Sequence, residues 1–511
     1  MLTGEHKDVP RAKNLLLEIA QNAKGEALAW ADIYLGYVED RAGRRQSAID
    51  WYQAALTVNG ASRGSLELAR FGLQQPLVWI RHLDSGEPPP PVAVAAPPAP
   101  TAHSTAHVTR EPSAGLIPAS NLSAEQRRQN FEALWSLIDV NYAHFKLKSI
   151  DWAEVHGRYV SRLGQIQGDD DFYLLMFQLV NELNDTHSWL DNYKEPLLAD
   201  VPDLPVDMFG GRPFVIAGAR AGWEVISVDG LTPKEKMESL RPYLRATSSP
   251  RAFQRKAGRS LLAGKEGESA RITLRSPDGQ IATESPTRTG RQRRVPAQPA
   301  PSYVTRQRFV HFGLHPSGVG YIKIESFNGR EEITHEFDRA LEAVRDAPDL
   351  ILDIRDNSGG FGHAEIAGRF IQTRVPVGFS YIKNGPGHTA LSKHDDYLAP
   401  SGNWQYARPV VLLVNDLTGS AADLFANELR SSHRVITVGT TTHGNLSGVA
   451  VYAVLPCGLV ARISNGYIAD ITDRPIEVNG NAPDVVVDVD IHDYLSGRDP
   501  VLEQALKVLA K

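Results

Sequence analysis

The chain has 511 residues, enough for two to four domains, with 42% hydrophobic and 22% charged residues, the balance of an ordinary globular protein. A net charge of −6 is mild for this length and gives no general attraction for nucleic acid or an anionic membrane. A single cysteine, Cys457, excludes an intramolecular disulfide and a cysteine-cluster metal site, and no apolar run reaches the length of a membrane span.

The opening residues, M-L-T-G-E-H-K-D-V-P, show no apolar signal core, which favours the cytoplasm over export. Residues 8 to about 75 read as helices. A-L-A-W-A-D-I-Y-L-G-Y and S-A-I-D-W-Y-Q-A-A-L interleave small residues with Trp30, Tyr34, Trp51 and Tyr52, a pattern that suits tightly packed antiparallel helices. This segment resembles tetratricopeptide or Sel1-like repeats, and the resemblance implies a partner-binding helical module over residues 1–84. The alternative is a plain helical hairpin packed on its neighbour. Residues 85–118 are rich in proline and alanine, cannot form a core and read as an extended linker.

Residues 119–204 read as a helical bundle. Ser123 with Gln126 offers a capping box, and Phe131, Leu134, Trp135 and Ile138 share one helical face. The bundle ends in N-D-T-H-S, with Asp185, Thr186 and His187 just past a helix. Residues 205–300 change to short strands and glycine turns around a helix from Pro233 to Leu244, a small β-rich module that resembles a PDZ domain. Arg288, Arg291, Arg293 and Arg294 read there as a solvated basic loop.

Residues 301–511 read as the core, and after Val319 strands alternate with helices, which implies parallel crossovers and an α/β layer. Ligands in such layers gather at the carboxyl ends of strands. Two turns stand there. D-N-S-G-G-F-G follows the strand D-L-I-L-D-I-R. N-D-L-T-G-S follows the apolar run Val410 to Val414 and leads into a helix, so Ser420 sits where a strand ends and a helix begins. A serine there is either a helix N-cap or a nucleophile beside unpaired first-turn N–H groups.

A serine nucleophile needs a base and a group that orients it. After Ser420 the lysines are Lys507 and Lys511, both in the C-terminal helix, so a serine–lysine dyad from a downstream loop is disfavoured. Among sixteen histidines, His187, His363, His433 and His443 are the candidates considered for the base. H-E-F-D-R at His335 lacks the second histidine of a zinc helix, and G-P-G-H-T-A at Gly385 lacks the strand that a dinucleotide fingerprint needs. No metal, cofactor or nucleic acid is expected.

From Ser120 onward seven motifs occur in an order similar to the serine peptidase family of tail-specific (C-terminal-processing) proteases, the tricorn core and the interphotoreceptor retinoid-binding-protein-like domains. They are N-F-E-A-L-W-S-L-I-D-V-N-Y-A-H-F, L-N-D-T-H-S, L-I-L-D-I-R-D-N-S-G-G, V-N-D-L-T-G-S-A-A-D, V-G-T-T-T-H-G-N-L-S-G, I-E-V-N-G-N-A-P-D and D-P-V-L-E-Q-A-L-K. The resemblance implies an α/β (α+β multidomain) fold with a crotonase-like core, and a serine-type peptidase acting on peptide or protein. It makes Ser420 the nucleophile, His187 the base, as in the tricorn-like branch, and Glu477 the orienting acid. Asp423, Asp473 and Asp484 are competing acids. Thr186 stands where that branch has serine. Asn445 lies near the position where the tail-specific branch carries lysine, and His443 remains the alternative base in that loop. Backbone N–H groups of Ala421 and of Gly359 or Gly360 would hold the oxyanion, with Asp353 and Arg355 shaping the turn. A non-catalytic binding protein and an esterase on the same fold are the competing readings.

Overall fold

The computed structural model describes residues 118–193, 198–290, 301–329 and 331–510, with parts of residues 16–80. All but the last residue of the expected linker lies outside the described residues, as do Arg291, Arg293 and Arg294. Helices α1 (Glu26–Arg41) and α2 (Arg45–Leu56) pack side by side. The fully buried Tyr52 ring lies against α1 at Gly36, where an added Cβ would fall 2.4 Å from it. The Tyr52 hydroxyl donates to Asp40 at 2.8 Å, so the buried ring keeps its hydrogen bond. A two-residue strand, β1 (Trp79–Ile80), follows.

The bundle comprises α3 (Ala124–Asn141), α4 (Phe145–Lys148), α5 (Trp152–Leu163) and α6 (Asp169–Asn181). Ser123 and Gln126 make both bonds of the capping box of α3, and Asp151 caps α5. Phe131, Leu134 and Ile138 face Trp152, Tyr159, Phe172 and Met176 in one core. The chain leaves the bundle through β2 (Trp189–Leu190).

The next region is a five-stranded antiparallel sheet of β3 (Val206–Phe209), β4 (Arg212–Val215), β5 (Glu224–Val228), β6 (Ile272–Arg275) and β7 (Ile281–Glu284). It carries α7 (Pro233–Leu240) and α8 (Pro250–Arg259). Expected to reach Leu244, α7 stops at Leu240 and tightens into a 3₁₀ turn over Arg241–Tyr243, because Pro242 has no N–H to continue it. The solvated-loop reading of Arg288 is corrected. Its side chain is buried, donates to the Leu262 carbonyl at 2.8 Å and pairs with Asp229 at 2.5 Å.

The core contains β8 (Val304–Arg306), β9 (Val310–Leu314), β10 (Gly320–Ile324), α9 (Glu331–Ala343), β11 (Leu350–Asp353) and α10 (His363–Ala367). A hairpin of β12 (Val375–Lys383) and β13 (Leu391–Leu398) follows, then β14 (Val410–Val414), α11 (Ala421–Ser431) and β15 (Ile436–Gly439). The last elements are β16 (Ala450–Val454), β17 (Val460–Ser464), β18 (Gly466–Asp470), β19 (Val485–Val486), α12 (Ile491–Ser496) and α13 (Pro500–Leu509). The fold class is mixed α/β with several sheets, as expected.

Seven strands form one sheet in the order β19-β15-β14-β11-β10-β9-β8, with β19 through β10 parallel and β9 and β8 antiparallel. Its central strands are continuous apolar runs because both faces are covered. Ile322, Leu352, Leu412 and Val414 lie in the core with residues of α9 and α11; Tyr321, Ile351, Val411 and Leu413 lie in that of α13. A second sheet, β1-β16-β17-β2, joins the core to the bundle, with Leu455, Leu459 and Ile463 entering the bundle's apolar cluster.

Asp353 and Arg355 form an ion pair at the turn after β11. Asp353 is fully buried and accepts from the Tyr321 hydroxyl at 2.7 Å and from Arg355 at 2.6 and 3.0 Å. Arg355 also reaches Asp499, the N-cap of α13, at 2.8 and 2.9 Å. Burial pushes the Asp353 carboxyl up, but Arg355 outweighs it and the group settles at about 2. Asp353→Ala leaves a buried guanidinium half-unpaired, so urea denaturation of this variant is expected to show a loss of about 3–5 kcal/mol.

Candidate active site

The turn that carries Ser420 is built by its own residues. β14 ends at Val414. The Thr418 hydroxyl donates to the Ile354 carbonyl at 3.0 Å and accepts from the Asn415 N–H at 3.0 Å, and Gly419 donates to the Asn357 carbonyl at 3.0 Å. Ser420 then stands at φ 56°, ψ −123°, a conformation L-residues rarely hold and one that costs about 1–3 kcal/mol. It occupies the N-cap position of α11 but makes no side-chain cap bond. Its Oγ instead lies 3.0 Å from His187 Nε2, and its N–H donates to Asn445 Oδ1 at 2.6 Å.

The glycine turn faces it. A Cβ on Gly359 would sit 2.6 Å from Ser420 Cβ and 2.8 Å from the Ala421 nitrogen, so only glycine fits. A Cβ on Gly360 would strike the Phe327 backbone at 2.2 Å. The two glycines differ in what they offer. The Gly359 N–H is taken by Asn357 Oδ1 at 2.9 Å. The N–H groups of Gly360 and Ala421 have no acceptor among the described residues. Of the expected oxyanion donors, Ala421 and Gly360 are free and Gly359 is engaged.

His187 comes from the loop between α6 and β2. Its N–H donates to Asp185 Oδ1 at 2.8 Å, and the Ser188 hydroxyl donates to Asp185 Oδ2 at 2.6 Å. Arg462 donates to the His187 carbonyl. Burial, then the positive charge of Arg462, lowers the His187 imidazole to about 3, so it is neutral near pH 7 and can accept a proton at Nε2. Its Nδ1 is buried and without a hydrogen-bond partner among the described residues. Thr186 does not join Glu477. Its N–H donates to Ser248 Oγ at 3.1 Å, and its hydroxyl oxygen accepts from the Ser248 N–H at 3.0 Å.

Glu477, expected as the orienting acid, makes no hydrogen bond to His187 among the described residues. It is fully buried and pairs with Lys148 Nζ at 2.6 Å. Lys148 also donates to the Asn184 carbonyl at 2.6 Å, tying Glu477 to the loop that carries His187. His144 Nδ1 lies 3.9 Å from Glu477, and its Nε2 is held by the Gly466 carbonyl at 3.0 Å. Burial raises the Asp185 carboxyl, but Lys148, His144 and His187 outweigh it and hold it well below the usual carboxylate range. His144, Asp185 and Glu477 bring ligand atoms within 4.8 Å of one another, and the Lys148 ammonium already supplies a positive charge there.

His443, the alternative base, makes no bond to Ser420 among the described residues. Its N–H donates to the Thr418 carbonyl at 2.8 Å, and its carbonyl accepts from Ser249 Oγ at 2.7 Å. Burial, then Lys256 and Arg251, lowers its imidazole to about 4. Asp423, one of the competing acids, is fully buried on α11 and accepts from the N–H groups of Gly444 and Asn445 at 3.1 Å each. Burial raises it to about 7. Sequence reasoning missed Lys148, because the lysine census ran only downstream of Ser420; the pair of lysines in F-K-L-K was the available signal.

Residues 318–487 match the family described as Peptidase family S41, and residues 123–181 match the Tricorn protease C1 domain. This chain carries a peptidase family S41 domain. The S41 match takes in Gly360, Ser420, Asn445 and Glu477, while His187 lies outside both matches. Tricorn protease homolog 1 of Streptomyces coelicolor is 23% identical over 410 residues, covering 75% of this chain and 35% of that protein. The chloroplastic C-terminal processing peptidase of Tetradesmus obliquus is 26% identical over 299 residues, covering 55% of this chain and 56% of that one. The chain thus spans about a third of the length of the first tricorn homologues it matches. Among solved structures, mature CPAF aligns with a TM-score of 0.61 at 16% identity, over 76% of this chain and 96% of that one, and so shares its fold with this chain.

Two expectations follow from the site's charges. NMR of the His187 ring is expected to show neutral imidazole from pH 8 down to pH 5, whereas an ordinary imidazole would titrate within that interval. Lys148→Met would leave Glu477 buried without its cation, and denaturation is expected to show a loss of about 3–5 kcal/mol.

Proposed function

We propose that this chain is a serine-type peptidase that hydrolyses peptide bonds through an acyl-enzyme on Ser420. The observation that carries the reading is the 3.0 Å contact between His187 Nε2 and Ser420 Oγ, made from a backbone conformation that frees the hydroxyl from capping its own helix. His187 takes the hydroxyl proton as Oγ attacks the peptide carbonyl carbon. The N–H groups of Ala421 and Gly360 receive the oxyanion, where loss of one donor costs about 10²–10³ in rate. Collapse expels the amine, which takes the proton from His187. Water, deprotonated by the same imidazole, then releases the acyl group and restores Ser420. Asp185 and Glu477 with Lys148 hold the base loop from behind.

The N-terminal helices α1 and α2 recruit a protein partner or substrate in this reading, on the strength of their resemblance to helical repeats. The five-stranded sheet holds extended peptide by strand addition.

A fluorophosphonate probe tests the site directly. The wild-type chain is expected to label and Ser420→Ala to remain unlabelled. His187→Ala is expected to lower peptide turnover by roughly 10⁴–10⁶. An unlabelled wild type, or a labelled Ser420→Ala, would overturn the assignment; turnover of esters but no peptide would make the chain an esterase.

A further inference from the structure

We propose that Asn445 is the positioning residue of the nucleophile: its side-chain oxygen clamps the Ser420 N–H and keeps the serine from relaxing into an ordinary helix cap. The proposal rests on the peptidase reading for its catalytic consequence, though the clamp itself is a statement about structure.

Ser420 has two conformations open to it. In the one seen, φ is positive, the hydroxyl is aimed at His187 and α11 lacks a side-chain cap. In the other, φ returns to the extended region and Oγ turns to accept from a first-turn N–H, which stabilises a helix by about 0.5–2 kcal/mol. The first state carries the strain and forgoes the cap, so something outside the turn must favour it.

Asn445 supplies that preference. Its Oδ1 accepts the Ser420 N–H at 2.6 Å. Without it, that partly buried N–H would lose its acceptor, at a cost of about 1–3 kcal/mol where it stays dry. The amide fits because Gly419 has no side chain: an added Cβ there would lie 2.5 Å from Asn445 Oδ1. Asn445 is in turn fixed by Asp423, whose Oδ2 accepts the Asn445 N–H at 3.1 Å and the Gly444 N–H at 3.1 Å. Asn481 Nδ2 donates to the Asp423 carbonyl at 2.9 Å. Asp423 lies on the first turn of the helix that Ser420 opens. The contacts therefore close a ring, from Ser420 through the helix to Asp423, across to Asn445 and back to Ser420. One consequence is that the serine's own N–H is withheld from the oxyanion, which leaves Ala421 and Gly360 as its donors.

The test compares Asn445→Ala, which removes the acceptor, with Asn445→Asp, which keeps an oxygen in its place. Hydrogen exchange at the Ser420 amide reads the clamp without reference to catalysis, and fluorophosphonate labelling with kcat and KM for a peptide reads its consequence. Asn445→Ala is expected to speed exchange at Ser420 at least tenfold and to slow labelling and kcat by about 10–100-fold, with KM little changed. Asn445→Asp is expected to restore the slow exchange and most of the labelling. Wild-type exchange and labelling in a folded Asn445→Ala would overturn the clamp. If Asn445→Ala does not fold, Asn445→Asp decides: a protected amide supports the clamp, and an exposed one with wild-type labelling overturns it. A wild type that never labels, but whose Ser420 protection still depends on Asn445, sinks the peptidase reading and leaves the clamp standing.

Discussion

The site depends on one constraint. Two side chains separated by 233 residues, on different layers of the molecule, must stay within a hydrogen bond of each other. His187 hangs from the end of a helical bundle and Ser420 from the rim of a parallel sheet, so their separation is set by how the bundle docks on the core. That docking is apolar where β17 enters the bundle, through Ala461 and Ile463. It is polar at the loop itself: Ser188 is bonded to Ser464, Arg462 to the His187 carbonyl, and Lys148 of the bundle to Glu477 of the core. The apolar contacts supply adhesion without direction, while the hydrogen bonds fix the register. Glu477 is thus tied to the loop that carries His187 through Lys148, without a hydrogen bond to the imidazole among the described residues.

The same contacts set the electrostatics. A buried imidazole beside Arg462 stays neutral, and a neutral imidazole is what proton abstraction needs. Once protonated, it would stand close to Asp185, whose charge opposes the lowering. In the proposed reaction the arrangement keeps the base ready in the resting state and supplies a compensating anion for the transient imidazolium. Lys148 makes a buried Glu477 tolerable at this depth, since a carboxylate removed from water and left unpaired is strongly disfavoured.

Much of this was legible in the chain. The apolar run into N-D-L-T-G-S gave the strand, turn and helix around Ser420, because period, turn chemistry and helical spacing change within ten residues. The alternation after Val319 gave the parallel sheet. Less legible were features decided by three-dimensional neighbours. Gly359 and Gly360 are adjacent and alike in sequence, yet Asn357 turns its amide oxygen onto one N–H and leaves the other. Arg288 reads as part of a basic cluster but is drawn inward by Asp229 and two carbonyls. The β12–β13 hairpin was missed, since Pro376 and Gly378 break its alternation and its register shifts between them. Lys148 sits on a four-residue helix, too short for periodicity to place its side chain.

The occupant of position 445 follows from where the base comes from. In the tail-specific branch that this chain resembles, the loop after the nucleophile carries a lysine. Here the bundle delivers an imidazole to Ser420 Oγ, so in the proposed mechanism the loop has no proton to take. A lysine in place of Asn445 would offer donors only, and none could accept the Ser420 N–H. It would also add a cation to a loop that touches Ser420, whose hydroxyl contacts an imidazole that burial and Arg462 already hold near 3. An amide meets both needs: it is uncharged, and it presents an oxygen at 2.6 Å to the Ser420 N–H. On the proposed mechanism, histidine as base and asparagine in the loop are two sides of one solution, in which a single loop position is released from proton transfer and serves geometry.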